Sequence, residues 1–213
     1  MKCDKKSMLL YAITDKMWLN GRSFYDDVEK ALKGGVTMLQ LREKELDDEA
    51  FLKEAMKIKE ICKKYNVAFI INDNVEVAIK CDADGINVGQ SDMDLLNVRA
   101  RLGENKIIGV SAQTVKQAVL AEKGGADYLG LGAVFTTATK EDADYVTYET
   151  LKEICNNISI PVCAIGGIAD TNIYKLKGSG IDGVALISAI FAAKNIKEEC
   201  KKLKVLSEEM VKA

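Results

Sequence analysis

Two stretches of similar design, ALKGGVTMLQL at residues 31–41 and AEKGGADYLGL at residues 121–131, indicate the fold of this chain. Each opens with a helical segment, passes through a Gly-Gly pair and ends in a short apolar run. The glycines supply the left-handed residue that a helix C-cap favours before the chain turns into a strand. Weaker copies of this join occur in CDADGINVG at 81–89 and GSGIDGVAL at 178–186, so the sequence predicts a repeated helix-to-strand unit.

Short runs rich in Val, Ile and Leu recur about every 20 to 30 residues, with helix-patterned segments between them. The predicted strands lie near residues 8–14, 37–42, 67–72, 85–89, 106–111, 128–134, 160–165 and 183–187. Between the second and third strands, apolar residues at steps of three and four share one helix face: Phe51, Ala55, Ile58, Cys62 and Tyr65.

Eight such units in 213 residues favour an α/β fold, a single (β/α)8 TIM barrel over residues 1–213. The chain has no Pro-rich or Ser-rich linker, and Pro161 is its one proline. An open doubly wound sheet is the alternative fold. The difference matters because a barrel places its active site at the C-terminal ends of its strands.

Composition excludes several classes of protein. The chain has 30 Lys+Arg and 32 Asp+Glu, a net charge of -2, so no overall basic field draws it to nucleic acid or to an acidic membrane. Six scattered cysteines without a Cys-x-x-Cys pair suit a cytoplasmic protein, and without any His a Cys/His zinc site is not expected. The first apolar run ends at Asp15, too early for a signal peptide or a membrane span. Proton transfer would have to use carboxylates, Lys, Tyr, Cys or a metal.

Polar residues crowd the end of the second predicted strand, in QLREK at residues 40–44. Because strand side chains alternate, Gln40, Arg42 and Lys44 are expected to share a face that points to the barrel mouth. Arg offers a fork of donors and Lys a point charge, so the two predict an anion clamp. Glu43 is expected to point away and to position its neighbours. The alternative interpretation is a solvated run of surface charges.

Carboxylates follow the third and fourth strands, at Asp73 in INDN and Asp92 in GQSD. Neighbouring strands lie about 4.8 Å apart, so carboxylates just past two strand ends can converge on one point. Magnesium takes one or two carboxylates and completes its shell with water and phosphate oxygens. Each Asp alone is more often a cap or a turn residue, but opposite a cationic clamp the pair predicts a Mg²⁺-diphosphate site.

The later strand ends add further phosphate donors. Ser111 ends the fifth strand, and the sixth runs into TTATK at residues 136–140, which supplies hydroxyls and Lys140. The pair Gly166–Gly167 and Ser188 lie where barrels commonly bind phosphate through backbone N–H groups, although a Gly-Gly pair alone is an ordinary turn. With Mg²⁺ the predicted charge of the mouth is about +3, which suits a diphosphate beside a phosphate monoester and favours loss of diphosphate.

Eight short stretches carry a resemblance that covers nearly the whole chain. They are YAITD (11–15), QLREK (40–44), IND (71–73), DGINVGQSD (84–92), GVSAQT (109–114), TATK (137–140), AIGGI (164–168) and ALISAI (185–190). Read together and in this order, they resemble the motifs of the thiamine phosphate synthase family. Each stretch is short, but all of them in register are specific.

The resemblance implies a transferase that joins hydroxymethylpyrimidine diphosphate to a thiazole phosphate and releases diphosphate and thiamine phosphate. The residues implied for the pyrimidine diphosphate are Gln40, Leu41, Arg42, Glu43, Lys44, Asn72, Ser111 and Lys140. Those implied for the thiazole phosphate are Thr137, Ala138, Thr139, Gly167, Ile187 and Ser188. The implied Mg²⁺ ligands are Asp73 and Asp92, and the expected catalytic residues are Arg42, Lys44, Ser111 and Lys140.

The family's mechanism is dissociative: diphosphate departs, a pyrimidine-stabilised cation forms, and the thiazole nitrogen captures it. No protein base is needed, which agrees with the absence of His, so electrostatic stabilisation would carry most of the catalysis.

Two positions depart from the family pattern. Asn87 stands where a His is usual, and Gly132–Ala133 stands where Gly-Pro is common. Asn87 is expected to face the barrel interior or the edge of the site.

Three other functions stay open: a thiazole tautomerase-like barrel, which the missing His disfavours, a Schiff-base aldolase using Lys140, and a non-catalytic barrel that binds thiamine phosphate. The expected partners are small-molecule substrates, and homo-oligomerisation is left open.

Overall fold

The computed structural model of the chain describes residues 3–89, 95–136 and 145–212. Within these ranges, eight parallel strands close into a barrel in sequential order, with β8 beside β1. The strands are β1 (Leu10–Ile13), β2 (Met38–Leu41), β3 (Ala68–Asn72), β4 (Gly85–Val88), β5 (Ile107–Ala112), β6 (Tyr128–Leu131), β7 (Val162–Ile165) and β8 (Gly183–Leu186). The predicted TIM barrel is confirmed, and the open sheet is wrong because β1 pairs with both β2 and β8.

Helices cover the outside of the barrel. They are α1 (Phe24–Lys33), α2 (Asp48–Lys64), α3 (Val75–Lys80), α4 (Leu95–Leu102), α5 (Val115–Lys123), α6 (Tyr148–Asn157), α7 (Ser188–Phe191) and α8 (Ile196–Val211). Between β7 and β8 the described chain forms a short 3₁₀ helix, Ile173–Leu176. In the three described ranges, no helix combines the length and apolarity needed to cross a membrane.

Alternation along the strands separates two apolar cores. Leu39 and Leu41 belong to the outer core, which packs β-strands against helices, whereas Met38 belongs to the inner core that fills the barrel. Tyr11 and Tyr128 are the largest side chains of the inner core and pack edge to face, with ring centroids 5.8 Å apart. Gly109 makes this packing possible, because a Cβ there would lie 2.0 Å from the Tyr128 ring.

A repeated pair of hydrogen bonds, here called the strand clamp, explains the four similar joins in the sequence. The residue before each even-numbered strand donates its backbone N–H to the carbonyl of one residue in the preceding strand. The side chain of the first residue then accepts the backbone N–H of that strand residue. The clamp pairs are Thr37 with Leu10, Asp84 with Phe69, Asp127 with Ile108 and Asp182 with Val162, at N···O distances of 2.7–3.0 Å. These clamps fix the register of adjacent strands at the N-terminal end of the barrel.

Removing a clamp should destabilise the barrel. In Asp127→Ala, the Ile108 N–H loses the acceptor that lies 2.8 Å away, and Arg99 loses a carboxylate 2.6 Å from its Nη2. We expect a loss of about 1.5–3 kcal/mol in the free energy of unfolding, measured by urea denaturation, since a hydrogen bond to a charged group contributes about that much. Asp127→Asn keeps an acceptor and should lose less. Glu60→Ala, on the exposed side of α2, is the control, and equal stability of Asp127→Ala and this control would disprove the role of the clamp.

Candidate active site

The strand ends divide the barrel mouth into two unlike halves. Strands β2 to β5 direct polar side chains inward, whereas the ends of β1, β7 and β8 present isoleucines that pack on or within the inner core. The polar half consists of Gln40, Asn72, Asn87 and Ser111, and the apolar half consists of Ile13, Ile165 and Ile187. A charged group therefore finds hydrogen-bonding partners on one side of the mouth, and an uncharged ring finds an apolar surface on the other.

Gln40 faces the barrel interior, as strand alternation predicted. Its side chain is 2% exposed, and its Nε2 donates to the Tyr11 hydroxyl at 2.6 Å. The alternation argument does not extend to Lys44, because β2 ends at Leu41 and Lys44 lies beyond it, exposed to solvent. Of the three polar residues expected to share one face, only Gln40 lies within β2; Arg42 follows the strand directly and Lys44 lies two residues further on.

Arg42 is held by the two residues that end the YAITD stretch. Its backbone N–H donates to Thr14 Oγ1 at 3.1 Å, and its Nη1 lies 3.0 Å from Asp15 Oδ2. Both side chains of the ion pair are largely shielded, with 19% and 13% exposed. The predicted charge of the mouth left out the Asp15 carboxylate, which the sequence showed only as the end of an apolar run. Asp15 lowers the charge at this point and fixes the guanidinium in place.

Glu43 turns away from the mouth into a shielded ion triad. Lys16 Nζ lies 2.6 Å from Glu43 Oε2 and 2.8 Å from Glu54 Oε2. Burial alone would raise the pKa of Glu43, but hydrogen bonds from Lys16 and from the backbone outweigh it and lower that pKa. Burial raises the pKa of Glu54. The expectation that Glu43 positions its neighbours is confirmed by this contact, which joins the loop after β2 to α2.

Asn72 and Asp73 lie side by side at the end of β3. Asn72 Nδ2 donates to Asp73 Oδ2 at 2.5 Å, and the Asp73 backbone N–H donates to the Asn87 carbonyl at 2.9 Å. Asp73 has a φ of 61°, a left-handed conformation that Asp tolerates better than most residues. Its side chain is exposed at the polar half of the mouth, where a hard oxygen donor suits Mg²⁺.

Several predicted site residues lie outside the described residues: Asp92, Thr137, Ala138, Thr139 and Lys140. Within the described ranges, no three His, Cys, Asp or Glu side chains lie close enough together to hold a metal ion. The Mg²⁺ site therefore stays a prediction, with Asp73 as its described member.

Asn87 lies under Ser111 and confirms the expectation that it faces the barrel. It is 8% exposed, accepts a hydrogen bond from the Tyr128 hydroxyl at 3.1 Å and donates to Ser111 Oγ at 3.3 Å. Ser111 itself is exposed, although it lies within β5. The Ser111 hydroxyl therefore connects the buried interior to the surface of the mouth.

The Gly-Gly pair after β7 supports the loop that follows β6. The Phe135 N–H donates to the Gly166 carbonyl at 3.0 Å, and a Cβ on Gly167 would lie 2.3 Å from the Thr136 carbonyl oxygen. Gly167 also has a φ of 66°. With Ile187 and Ser188 the pair lines a small pocket at the mouth. These glycines are thus required both by the local backbone and by the close approach of the loop that leads to residue 137.

Comparisons with known proteins agree with this architecture. The family model described as thiamine monophosphate synthase matches residues 10–190. The chain belongs to this family. A relative named thiamine-phosphate synthase from Clostridioides difficile is 51% identical over 198 residues, which cover 93% of this chain and 94% of the relative. One of the same name from Clostridium acetobutylicum is 46% identical over 192 residues, 90% and 91% of the two chains.

A solved structure of a similar protein has the same barrel fold as this family member. The thiamine phosphate pyrophosphorylase from Pyrococcus furiosus superposes with a TM-score of 0.89 at 34% identity, covering 97% of this chain and 98% of its own. The resemblance that the eight sequence motifs indicated is therefore confirmed.

Gly167→Ala should destabilise the protein, because Gly167 lies where two loops approach closely at the mouth of the barrel. The added Cβ would meet the Thr136 carbonyl, and a left-handed φ is unfavourable for alanine, so we expect a loss of about 2–4 kcal/mol in the free energy of unfolding. Urea denaturation measures the loss. Gly130→Ala is the matched control, since a Cβ there meets nothing within 4 Å. If both variants unfold at the same urea concentration, the close approach of the loop to Gly167 is not a constraint.

Proposed function

We propose that this protein joins hydroxymethylpyrimidine diphosphate to a thiazole phosphate, forming thiamine phosphate and releasing diphosphate. The observation that carries the proposal is the polar half of the mouth, with the fixed Arg42 guanidinium beside it, in a chain that belongs to the thiamine monophosphate synthase family. The relatives named thiamine-phosphate synthase span nearly the same length as this chain, so the whole barrel is comparable.

The diphosphate would bind along the ends of β2 to β5. Arg has five N–H donors in a planar fork, and the ion pair with Asp15 engages Nη1, so the held guanidinium can present other donors to phosphate oxygens. Lys44 and Lys140 would add point charges, and Ser111 would add a hydroxyl donor. Asn72, at the end of β3, and the Gln40 amide beneath it are the other proposed contacts for this substrate. The side chains of Leu41, in the outer core, and of Glu43, which pairs with Lys16, face away from the mouth and are corrected here as substrate contacts.

The thiazole phosphate would bind across the mouth. The backbone N–H groups of Gly167 and Ser188, in the pocket that Ile187 also lines, suit a phosphate monoester. Thr137 and Thr139 would add hydroxyl donors, and Ala138 between them would add a backbone N–H. The apolar half of the mouth would then pack against the thiazole ring, which directs its nitrogen toward the pyrimidine on the polar side.

Magnesium would be held by Asp73 and Asp92. When bound, it neutralises and orients diphosphate oxygens, as Mg²⁺ does where it is held by one or two carboxylates and substrate phosphates. The described Asp73 fits this role because it is exposed beside the proposed diphosphate contacts and carries hard oxygen donors.

The proposed reaction is dissociative and needs no protein base. As the bond from the pyrimidine methylene carbon to the diphosphate oxygen breaks, the electron pair leaves with the diphosphate. Arg42, Lys44, Lys140 and Ser111 would stabilise that growing negative charge through fixed donors, the kind of preorganised electrostatics that lowers barriers most effectively. The lone pair of the thiazole nitrogen then forms the new carbon–nitrogen bond, so the absence of His from the chain has no cost.

Product formation tests the proposal. The purified protein, mixed with both substrates and Mg²⁺, should form thiamine phosphate and pyrophosphate in equal amounts, measured by chromatography and a pyrophosphate assay. Reactions that lack either substrate are the controls and should form neither product. A protein that binds thiamine phosphate but forms no product with Mg²⁺ present would be a non-catalytic barrel, and the proposed function would be wrong.

The metal role can be tested at Asp73. Asp73→Asn removes one charge from the proposed Mg²⁺ site, so the Mg²⁺ concentration for half-maximal turnover should rise about tenfold or more, with little change in melting temperature. The control is Asp26→Asn, an exposed Asp in the first turn of α1. An unchanged Mg²⁺ dependence in Asp73→Asn would remove Asp73 from the site.

A further inference from the structure

A chain of four hydrogen bonds crosses the barrel interior and ends at the mouth. Gln40 Nε2 lies 2.6 Å from the Tyr11 hydroxyl, which lies 2.8 Å from the Tyr128 hydroxyl. Tyr128 donates to Asn87 Oδ1 at 3.1 Å, and Asn87 Nδ2 donates to Ser111 Oγ at 3.3 Å. Five different strands, β2, β1, β6, β4 and β5, thus contribute one residue each to this interior chain.

The interior chain has a direction that determines what Ser111 offers. Because Gln40 donates at one end and Tyr128 donates to Asn87, Tyr11 must donate to Tyr128, and every bond then points toward Ser111. Ser111 Oγ accepts from Asn87, so its own hydrogen is directed elsewhere. In the reverse direction Ser111 would donate inward and turn its lone pairs toward any anion.

Nothing in the interior chain carries a charge. Gln40, Tyr11, Tyr128 and Asn87 are all at most 8% exposed. Burial raises the pKa of Tyr11 and that of Tyr128 above their ordinary range, so both remain hydrogen-bond donors at neutral pH. An amide at residue 87 combines an acceptor for Tyr128 with a donor for Ser111 in the same neutral group.

We propose that Asn87 is a positioning residue, which directs the Ser111 hydroxyl to donate to the diphosphate of the substrate. Asn87 itself is buried beneath Ser111 and acts through it. This inference rests on the proposed function, because it takes the anion at Ser111 to be the diphosphate.

The isosteric variant Asn87→Asp tests the proposal. A carboxylate still accepts from Tyr128 but cannot donate to Ser111, so Ser111 would turn inward to donate to it. Binding of inorganic pyrophosphate with Mg²⁺, measured by calorimetry at pH 7.5, should weaken about tenfold or more, the loss expected for a hydrogen bond to a charged group. Tyr128→Phe, which keeps the ring and removes the donor to Asn87, should weaken binding in the same direction by less.

A double-mutant cycle separates positioning from simple repulsion. The new carboxylate repels pyrophosphate whether or not Ser111 is present, whereas the effect on hydroxyl direction needs Ser111. In the Ser111→Ala background, Asn87→Asp should therefore weaken binding several-fold less than it does in the unmodified chain. Equal losses in the two backgrounds, or only a lower melting temperature with unchanged binding, would overturn the proposal.

The product assay and the double-mutant cycle, run on the same protein preparations, test the proposed function and the positioning role of Asn87 separately. If the unmodified chain forms thiamine phosphate but the cycle is additive, Asn87 has no positioning role and the proposed function stands. If the double-mutant cycle shows the predicted coupling but the unmodified protein forms no thiamine phosphate, the proposed function fails while the coupling between Asn87 and Ser111 stands. If pyrophosphate does not bind to the unmodified chain at all, the positioning role is excluded as well.

Discussion

The pairing of β1 with β8 is the contact on which the rest of this structure depends. Tyr11 lies opposite Ala185 in that pairing, and the closure it completes encloses one face of every strand. In a closed barrel every second side chain must then face the interior, so a one-residue shift of any strand would exchange its inner and outer side chains. The strand clamps at Thr37, Asp84, Asp127 and Asp182 hold the register against such a shift.

The strand register fixed at the N-terminal end of the barrel determines which side chains face inward at the mouth. Once Asp84 is paired with Phe69, alternation brings Asn87 inward at the end of β4, next to Asn72. Likewise, pairing of Asp127 with Ile108 puts Tyr128 against Gly109 and beneath the mouth. The strand clamps bear on stability and the polar half of the mouth on the proposed diphosphate binding, and strands of four to six residues connect the two.

Periodicity was enough to predict the barrel and the inward direction of Gln40 in β2, because both follow from strand alternation and from short helix-to-strand joins. Contacts between distant parts of the chain were not predictable in this way. The pairing of Asp15 with Arg42 and that of Asn87 with Tyr128 join residues 27 and 41 positions apart, and no local pattern marks them. Alternation could not set the direction of Lys44 for a simpler reason: β2 stops at Leu41, three residues before it.

The central claim is that the diphosphate binds on the polar half of the mouth, between the ends of β2 and β5. A crystal structure of the protein with Mg²⁺ and pyrophosphate tests it most directly. The predicted result is pyrophosphate within hydrogen-bonding distance of both the Arg42 guanidinium and Ser111 Oγ, about 2.7–3.2 Å. Pyrophosphate bound instead at Gly167 and Ser188 after β7 and β8, with the polar half occupied by water, would contradict the account.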